Sequence, residues 1–226
     1  MITLHHLENS QSIRILWLLE ELGIEYGFKM YDRDPETMLA PAEFKAVSPL
    51  GTAPALTDGD VAISESNAII DYILDQVDGH DLRPKADDPD RADYLFWFHA
   101  AQGSYQSLQT GRFVNSIAVE RSPRLLRGLI GAIMGKLDEG FYTPRLTAIM
   151  TLMEEQLSEH AYLAGERFTA ADIAFGYTLQ MTSMRGSLGE AYPVTQAYVD
   201  SIEARPAWQA ALKKDGKFVG VPVRKS

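Results

Sequence analysis

Residues 52–66 read Thr52-Ala53-Pro54-Ala55-Leu56-Thr57-Asp58-Gly59-Asp60-Val61-Ala62-Ile63-Ser64-Glu65-Ser66. Two short apolar runs, 53–56 and 61–63, flank Asp58-Gly59, a pair suited to the positive φ of a tight turn, so the stretch predicts a β-hairpin. Pro54 stands at its entry, where no ladder donor is needed. From a start near Ser66, Ile69, Ile70, Ile73, Leu74 and Val77 then recur at helical spacing. The residues before the hairpin alternate in the same manner. Residues 2–6 are a β-branched start, and Ile13, Leu16, Trp17 and Leu19 mark a helix over 12–22 that Gly23 stops. Tyr26, Phe28 and Met30 keep the period of a strand, and a short helix is expected around 41–45. The order β-α-β-α-β-β-α is an α/β unit.

The rest of the chain reads as helical. Leu95, Phe98, Ala101, Tyr105 and Leu108 share one expected face, and Leu146, Ile149, Met150, Met153 and Leu157 another. Thr169-Ala170-Ala171-Asp172 has the form of a capping box, with the Thr hydroxyl accepting from the Asp amide and the carboxylate reaching back to the Thr amide. Phe168 and Ile173 are placed as its hydrophobic staple, and Ala174, Tyr177 and Met181 continue the buried face.

Charge divides the chain at the same place. Lys and Arg total 21 against 31 Asp and Glu, a net −10. Residues 1–80 hold 4 basic and 14 acidic side chains, whereas residues 81–226 hold 17 of each. The expected units are 1–79 and 88–226, joined by the unpatterned Asp-, Gly- and Pro-rich stretch 77–89. With 46% hydrophobic and 23% charged residues the composition is that of a globular protein. The acidic balance argues against a nucleic-acid partner. The sequence has no cysteine, which removes disulfides, thiolate metal sites and cysteine nucleophiles. The apolar run 15–19 is far short of the ~20 residues of a membrane span, and no secretory signal is apparent, so a cytoplasmic protein without membrane contact is expected. The five His have no metal-ligand spacing, and no metal is expected. His5-His6 are read as strand residues, and Asp87, Asp88 and Asp90 as linker charge. The basic stretch 213–226 is expected to be a frayed tail.

The βαβαββα unit with Pro54 after Ala53 and Glu65-Ser66 opening a helix resembles the thioredoxin-like domain of the cytosolic glutathione transferases of Ser type. Leu163-Ala164-Gly165-Glu166-Arg167-Phe168-Thr169-Ala170-Ala171-Asp172 and Pro206-Ala207-Trp208 resemble parts of the all-α helical-bundle domain that follows it there. The resemblance implies glutathione as co-substrate, a homodimer, and conjugation of the thiolate to an electrophilic hydrophobic substrate. Peroxide reduction, isomerisation, dehalogenation or ether cleavage on the same site are alternatives, and so is a non-catalytic glutathione-fold scaffold.

Glutathione's thiol is mostly protonated at pH 7, and a hydroxyl donor beside a helix N-terminus stabilises the anion. Ser10 is the candidate, four residues before Arg14 as in the Ser-type members, with Asn9 and Ser12 as alternatives. A plain helix cap is the other role open to Ser10 and Ser12. The resemblance implies a cis Pro54, with the Ala53 backbone pairing with the cysteinyl part of glutathione. Thr52 stands where many members carry a longer polar arm. The Ser66 hydroxyl and helix amides are expected on the γ-glutamyl carboxylate, with Glu65 on its amine. Lys45 is a candidate carboxylate partner or an ordinary solvated lysine. Trp97 and Tyr105 are candidate liners of the electrophile pocket or core residues. The stretch 112–136, with five Lys and Arg and one Glu, is a cover over that pocket or a solvated helical connection.

Overall fold

A computed structural model describes residues 1–184, 186 and 188–216. Strand β1 (Thr3–Leu7), helix α1 (Ile13–Leu22), β2 (Gly27–Tyr31), α2 (Ala42–Lys45), β3 (Ala55–Asp58), β4 (Val61–Ser64) and α3 (Ser66–Gln76) follow in the expected order. The sheet runs β2-β1-β3-β4. β1 and β2 are parallel, which the α1 crossover requires. β1 pairs antiparallel with β3, and β3 with β4. Asp58 stands opposite Val61 across the hairpin, and Gly59 takes φ 56° there, a conformation in which a Cβ would be strained.

Helices α4 (Arg91–Ala100), α5 (Ser107–Glu120), α6 (Arg127–Leu137), α7 (Thr143–Glu159), α8 (Ala170–Met184), α9 (Pro193–Glu203) and α10 (Pro206–Asp215) make up the second half. A π-helical segment, Ala101–Gln106, joins α4 to α5. Its wider turn changes the phase of the helix. Phe98, Ala101 and Tyr105 are buried as expected, but Leu95 leaves the shared face and is 39% exposed. On α7 the face Leu146, Ile149, Met150, Met153, Leu157 is buried throughout. Neither α5 nor α6 has a buried residue, and Arg112 of that basic stretch pairs with Asp138 at 2.7 Å. The basic C-terminal stretch continues α10 to Asp215, and its residues 217–226 lie outside the described residues.

The capping box closes α8 with one change of partner. The Asp172 carboxylate accepts from the Thr169 amide at 2.7 Å as expected. The Thr169 hydroxyl accepts from the Ala171 amide (3.3 Å) rather than from Asp172, whose amide bonds the Thr169 carbonyl (3.1 Å). The hydroxyl donates its own proton to Asp172 Oδ2 at 3.0 Å, which draws it toward the carboxylate. Asp172 Oδ1 also accepts from the Leu163 amide at 3.0 Å and from Tyr198 OH at 2.7 Å. The carboxylate therefore fastens the 163–169 loop and α9 to the start of α8.

One apolar core crosses from the first half into the second. Residues 13–19 of α1 are all buried, because the sheet and α3 pack on one side of the helix while α8 and α10 pack on the other. A helical segment enclosed on all sides is apolar all round, as 13–19 is apart from Arg14, and the charged Glu20 and Glu21 follow only beyond it. The Trp17 ring lies 5.1 Å from Trp208 and 5.7 Å from Phe168, both in the second half. Gly176 on α8 admits that ring: a Cβ there would stand 2.6 Å from Trp17 Cζ3 and 3.4 Å from Ile202 Cδ1. Gly176→Ala is therefore expected to cost about 1–3 kcal/mol by overpacking. Differential scanning calorimetry should show Tm lowered by roughly 2–12 °C.

Candidate active site

β1 ends at Leu7, and the chain turns through Asn9 at φ 47°, a conformation that Asn accepts more readily than most residues. Hydroxyls hold this turn. Ser10 Oγ donates to the Leu7 carbonyl at 2.6 Å and lies 2.7 Å from Ser12 Oγ. Ser12 Oγ accepts from the Leu7 amide at 3.2 Å and reaches His6 Nδ1 at 3.0 Å. Ser12 occupies the N-cap position of α1 without making a side-chain cap bond. Ser10 takes a cap-like part, accepting from the Ser12 amide at 3.3 Å.

Ser10 lines a cavity of about 320 Å3 together with Asn9, Gln11, Arg33, Lys45, Thr52, Ala53 and Tyr177. That volume is at the lower end of small-molecule sites. Five of the residues singled out in the sequence thus meet in one place: Asn9, Ser10, Lys45, Thr52 and Ala53. Ser12 lies beneath it, fully buried. The Ala53–Pro54 peptide is cis. Pro54, Glu65 and Ser66 are not among the lining residues. Ser66 is the first residue of α3 and is buried, while Glu65 before it is exposed and takes φ 79°. Such a backbone conformation in a residue other than glycine costs on the order of 1–3 kcal/mol.

Several members of the site carry no sequence signal of their own. Ser48 donates to the Thr52 carbonyl at 2.8 Å and lies 3.2 Å from Ser64 Oγ, so it ties the Thr52 turn to the end of β4. Arg33 binds the Glu8 carbonyl at 3.1 Å, the Asn9 carbonyl at 3.2 Å and the Met38 carbonyl at 2.9 Å, holding the Ser10 turn against the 34–40 loop. Tyr177, 167 positions after Ser10, closes the cavity from α8.

Arg14 lies behind the turn and is fully buried. Its guanidinium donates to Gln11 Oε1 (2.5 Å), Gln106 Oε1 (3.2 Å) and Thr178 Oγ1 (2.5 Å), and stands 4.9 Å from the centre of the Tyr177 ring. Burial lowers its pKa to about 10, so it stays cationic at neutral pH. Its hydrogen-bond acceptors among the described residues are neutral amide and hydroxyl oxygens, which solvate the charge without cancelling it.

Tyr177 also borders a second cavity of about 150 Å3, lined by Gln106, Gln109, Thr110, Phe113, Thr178, Met181 and Thr182. Of the two aromatics proposed for the electrophile pocket, Trp97 is a core residue, 2% exposed and edge-on to Phe175. Tyr105 is buried too, but it borders a third, smaller cavity, where its hydroxyl lies 2.9 Å from Thr182 Oγ1 and accepts from Gln109 at 3.2 Å. The second cavity faces the end of the π-helical segment and the first half of α5, more than two turns further along the helix than Trp97.

Residues 10–76 match the family model "Glutathione S-transferase, N-terminal domain", and residues 134–215 match "Glutathione S-transferase, C-terminal domain". Glutathione S-transferase 3 of Schizosaccharomyces pombe is 29% identical over 216 residues, covering 95% of this chain and 88% of that protein. Glutathione S-transferase 1 of Saccharomyces cerevisiae is 27% identical over 224 residues, covering 95% of each. The crystal structure of a glutathione S-transferase from Actinobacillus pleuropneumoniae superposes with a TM-score of 0.75 at 31% identity, over 97% of this chain and 94% of that one. The chain belongs to the glutathione S-transferase family. Its halves are the thioredoxin-like and helical domains of that family, which binds glutathione as co-substrate, and membership supports glutathione transferase activity. No helix among the described residues is long and apolar enough to cross a membrane.

Proposed function

We propose that the chain conjugates glutathione to an electrophilic carbon of a hydrophobic substrate, with the thiol ionised at Ser10. The observation that carries this reading is the placement of Ser10: it lines the cavity at the mouth of α1, with the Arg14 cation, whose acceptors among the described residues are neutral, behind it. Lowering a thiol pKa by ~2 units requires about 2.7 kcal/mol of preference for the anion. A hydroxyl donor, a helix N-terminus and a buried cation supply terms of that size. The thiolate sulfur attacks the electrophilic carbon, forming a C–S bond while the leaving group departs with its electron pair.

The neighbouring residues fit the parts of glutathione. The Ala53 backbone would pair with the cysteinyl unit, and Thr52 and Lys45 lie at the same cavity for the glycyl end. Ser66, at the N-terminus of α3, would hold the γ-glutamyl carboxylate, and Glu65 its amine. The strained Glu65 backbone supports a fixed binding position there. The electrophile would occupy the second cavity, across Tyr177 from Ser10. The proposal extends to a cytoplasmic homodimer of two-domain chains, divided within 77–89.

Glutathione titrated into the protein by calorimetry, with thiolate followed by its ultraviolet absorbance, tests the reading. Binding accompanied by thiolate at neutral pH is the expected result. Absence of binding would refute the ligand assignment, and binding without ionisation would refute the role of Ser10.

A further inference from the structure

Three buried polar side chains behind Ser10 have no part in that scheme. His6, the fourth residue of β1, is fully buried. Its Nε2 lies 2.5 Å from Oδ1 of Asp215, the last residue of α10, and Asp215 is itself only 4% exposed. Its Nδ1 lies 3.0 Å from Ser12 Oγ, which lies 2.7 Å from Ser10 Oγ. A carboxylate, an imidazole and two hydroxyls thus form a single file. It joins residues 209 positions apart in sequence and ends at the cavity.

The file can carry a proton in one direction and hold it. A carboxylate at Nε2 keeps a proton on that nitrogen and leaves Nδ1 of the neutral ring as an acceptor. Ser12 then donates to Nδ1; Ser10, whose one proton points to the Leu7 carbonyl at 2.6 Å, turns it to Ser12 at 2.7 Å, and Ser10 Oγ is left to accept from a thiol. If the thiol gives up its proton, each hydroxyl passes one on. The S–H bond breaks, an Nδ1–H bond forms, and both serines remain neutral. The products are a thiolate and an imidazolium, the latter paired with Asp215. Every donor now points the other way, with Nδ1–H to Ser12, Ser12 to Ser10, and Ser10 to the sulfur anion. With His6, Ser12 and Asp215 buried, such bonds reinforce one another.

We propose that His6, set by Asp215 and connected through Ser12 and Ser10, receives and holds the proton of the glutathione thiol. The inference rests on the reading of Ser10 given above. Asp215 is the charged group that faces His6 from α10. β2 presents the Phe28 ring at 5.5 Å, and the turn before α1 presents Ser12. Lys214, next to Asp215, is engaged by Glu20 at 2.9 Å and Tyr26 at 2.7 Å. The cations lining the cavity at the other end are Arg33 and Lys45, with Arg14 behind.

A proton count tests this, beginning with the wild-type chain. Glutathione is titrated calorimetrically at one pH in two buffers of different ionisation enthalpy, and thiolate is read in the same solutions. Thiolate should form with far less than one proton released to buffer for each thiolate made. Full release of one proton per thiolate would overturn the relay while leaving Ser10 activation standing. A wild-type chain that forms no thiolate would overturn both. Ser12→Ala cuts the file between His6 and Ser10. It should raise release to about one proton per thiolate and raise the bound thiol pKa by about one unit, a tenfold loss of thiolate below that pKa. Asp215→Asn, which keeps the shape but removes the charge, should shift both quantities in the same direction. A folded variant of either kind that keeps the wild-type count and pKa would mark these residues as structural only.

Discussion

Asp172→Ala should leave a chain that melts roughly 8–16 °C lower, a loss of about 4 kcal/mol at ~2–4 °C per kcal/mol for a protein of this size. Four donors converge on this buried carboxylate: the Leu163 amide, the Thr169 amide and hydroxyl, and Tyr198 OH. Alanine satisfies none of them, and each stranded buried donor costs on the order of 1–3 kcal/mol before relaxation. The total is a large part of the ~5–15 kcal/mol that holds a typical domain folded. Asp172→Asn, which keeps one acceptor oxygen, should lose less. Calorimetric melts of the two variants, compared with wild type, check both size and order. A drop below about 2 °C for Asp172→Ala would show that the loop, α8 and α9 are held by packing alone.

The second large effect is on chemistry. Ser10→Ala is expected to lower kcat/KM by roughly 10²–10³, the usual consequence of removing one preorganised donor to a developing or bound anion. The pH profile should separate this from misfolding. The limb that reports the bound thiol should move up by about 2 units, while glutathione affinity for the protonated thiol stays near wild type. Asn9→Ala should leave that limb in place, because the Asn9 contribution to the turn lies in its backbone conformation. A Ser10→Ala variant with an unmoved limb would transfer the donor role to Asn9 or Ser12.

The sequence was legible wherever a local rule decides the structure. Asp58-Gly59 turns the hairpin as the positive φ of Gly59 requires, and Gly23 stops α1 in the left-handed conformation. The Thr169–Asp172 box caps α8, although the donor to the Thr hydroxyl is the Ala171 amide in place of the Asp172 amide. Ser10, Thr52 and Ala53, singled out by resemblance, and Lys45, singled out as a cation shortly before Pro54, line one cavity. Features that depend on distant partners were not legible. Nothing near His6 points to Asp215, and nothing near Ser10 points to Tyr177. The π-helical turn at Ala101–Gln106 lacks a composition signal, and Leu95 is exposed because the buried face of α4 is carried by Tyr94, Trp97 and Phe98, which leaves it outside the face assigned to it. Ser48 and Arg33 act on backbone carbonyls across loops, which periodicity does not report.

The enclosure of α1 also bears on how the chain is made. Trp17 leaves the ribosome well before its cover, Trp208, which lies far along the same chain. At ~5–20 residues per second, roughly 10–40 s separate the two. During that interval the nascent N-terminal half exposes one flank of its central helix and carries His6 without its carboxylate. Vectorial synthesis therefore cannot complete this protein one half at a time. The first half waits, sticky and incompletely assembled, until Trp208 and Asp215 have been made.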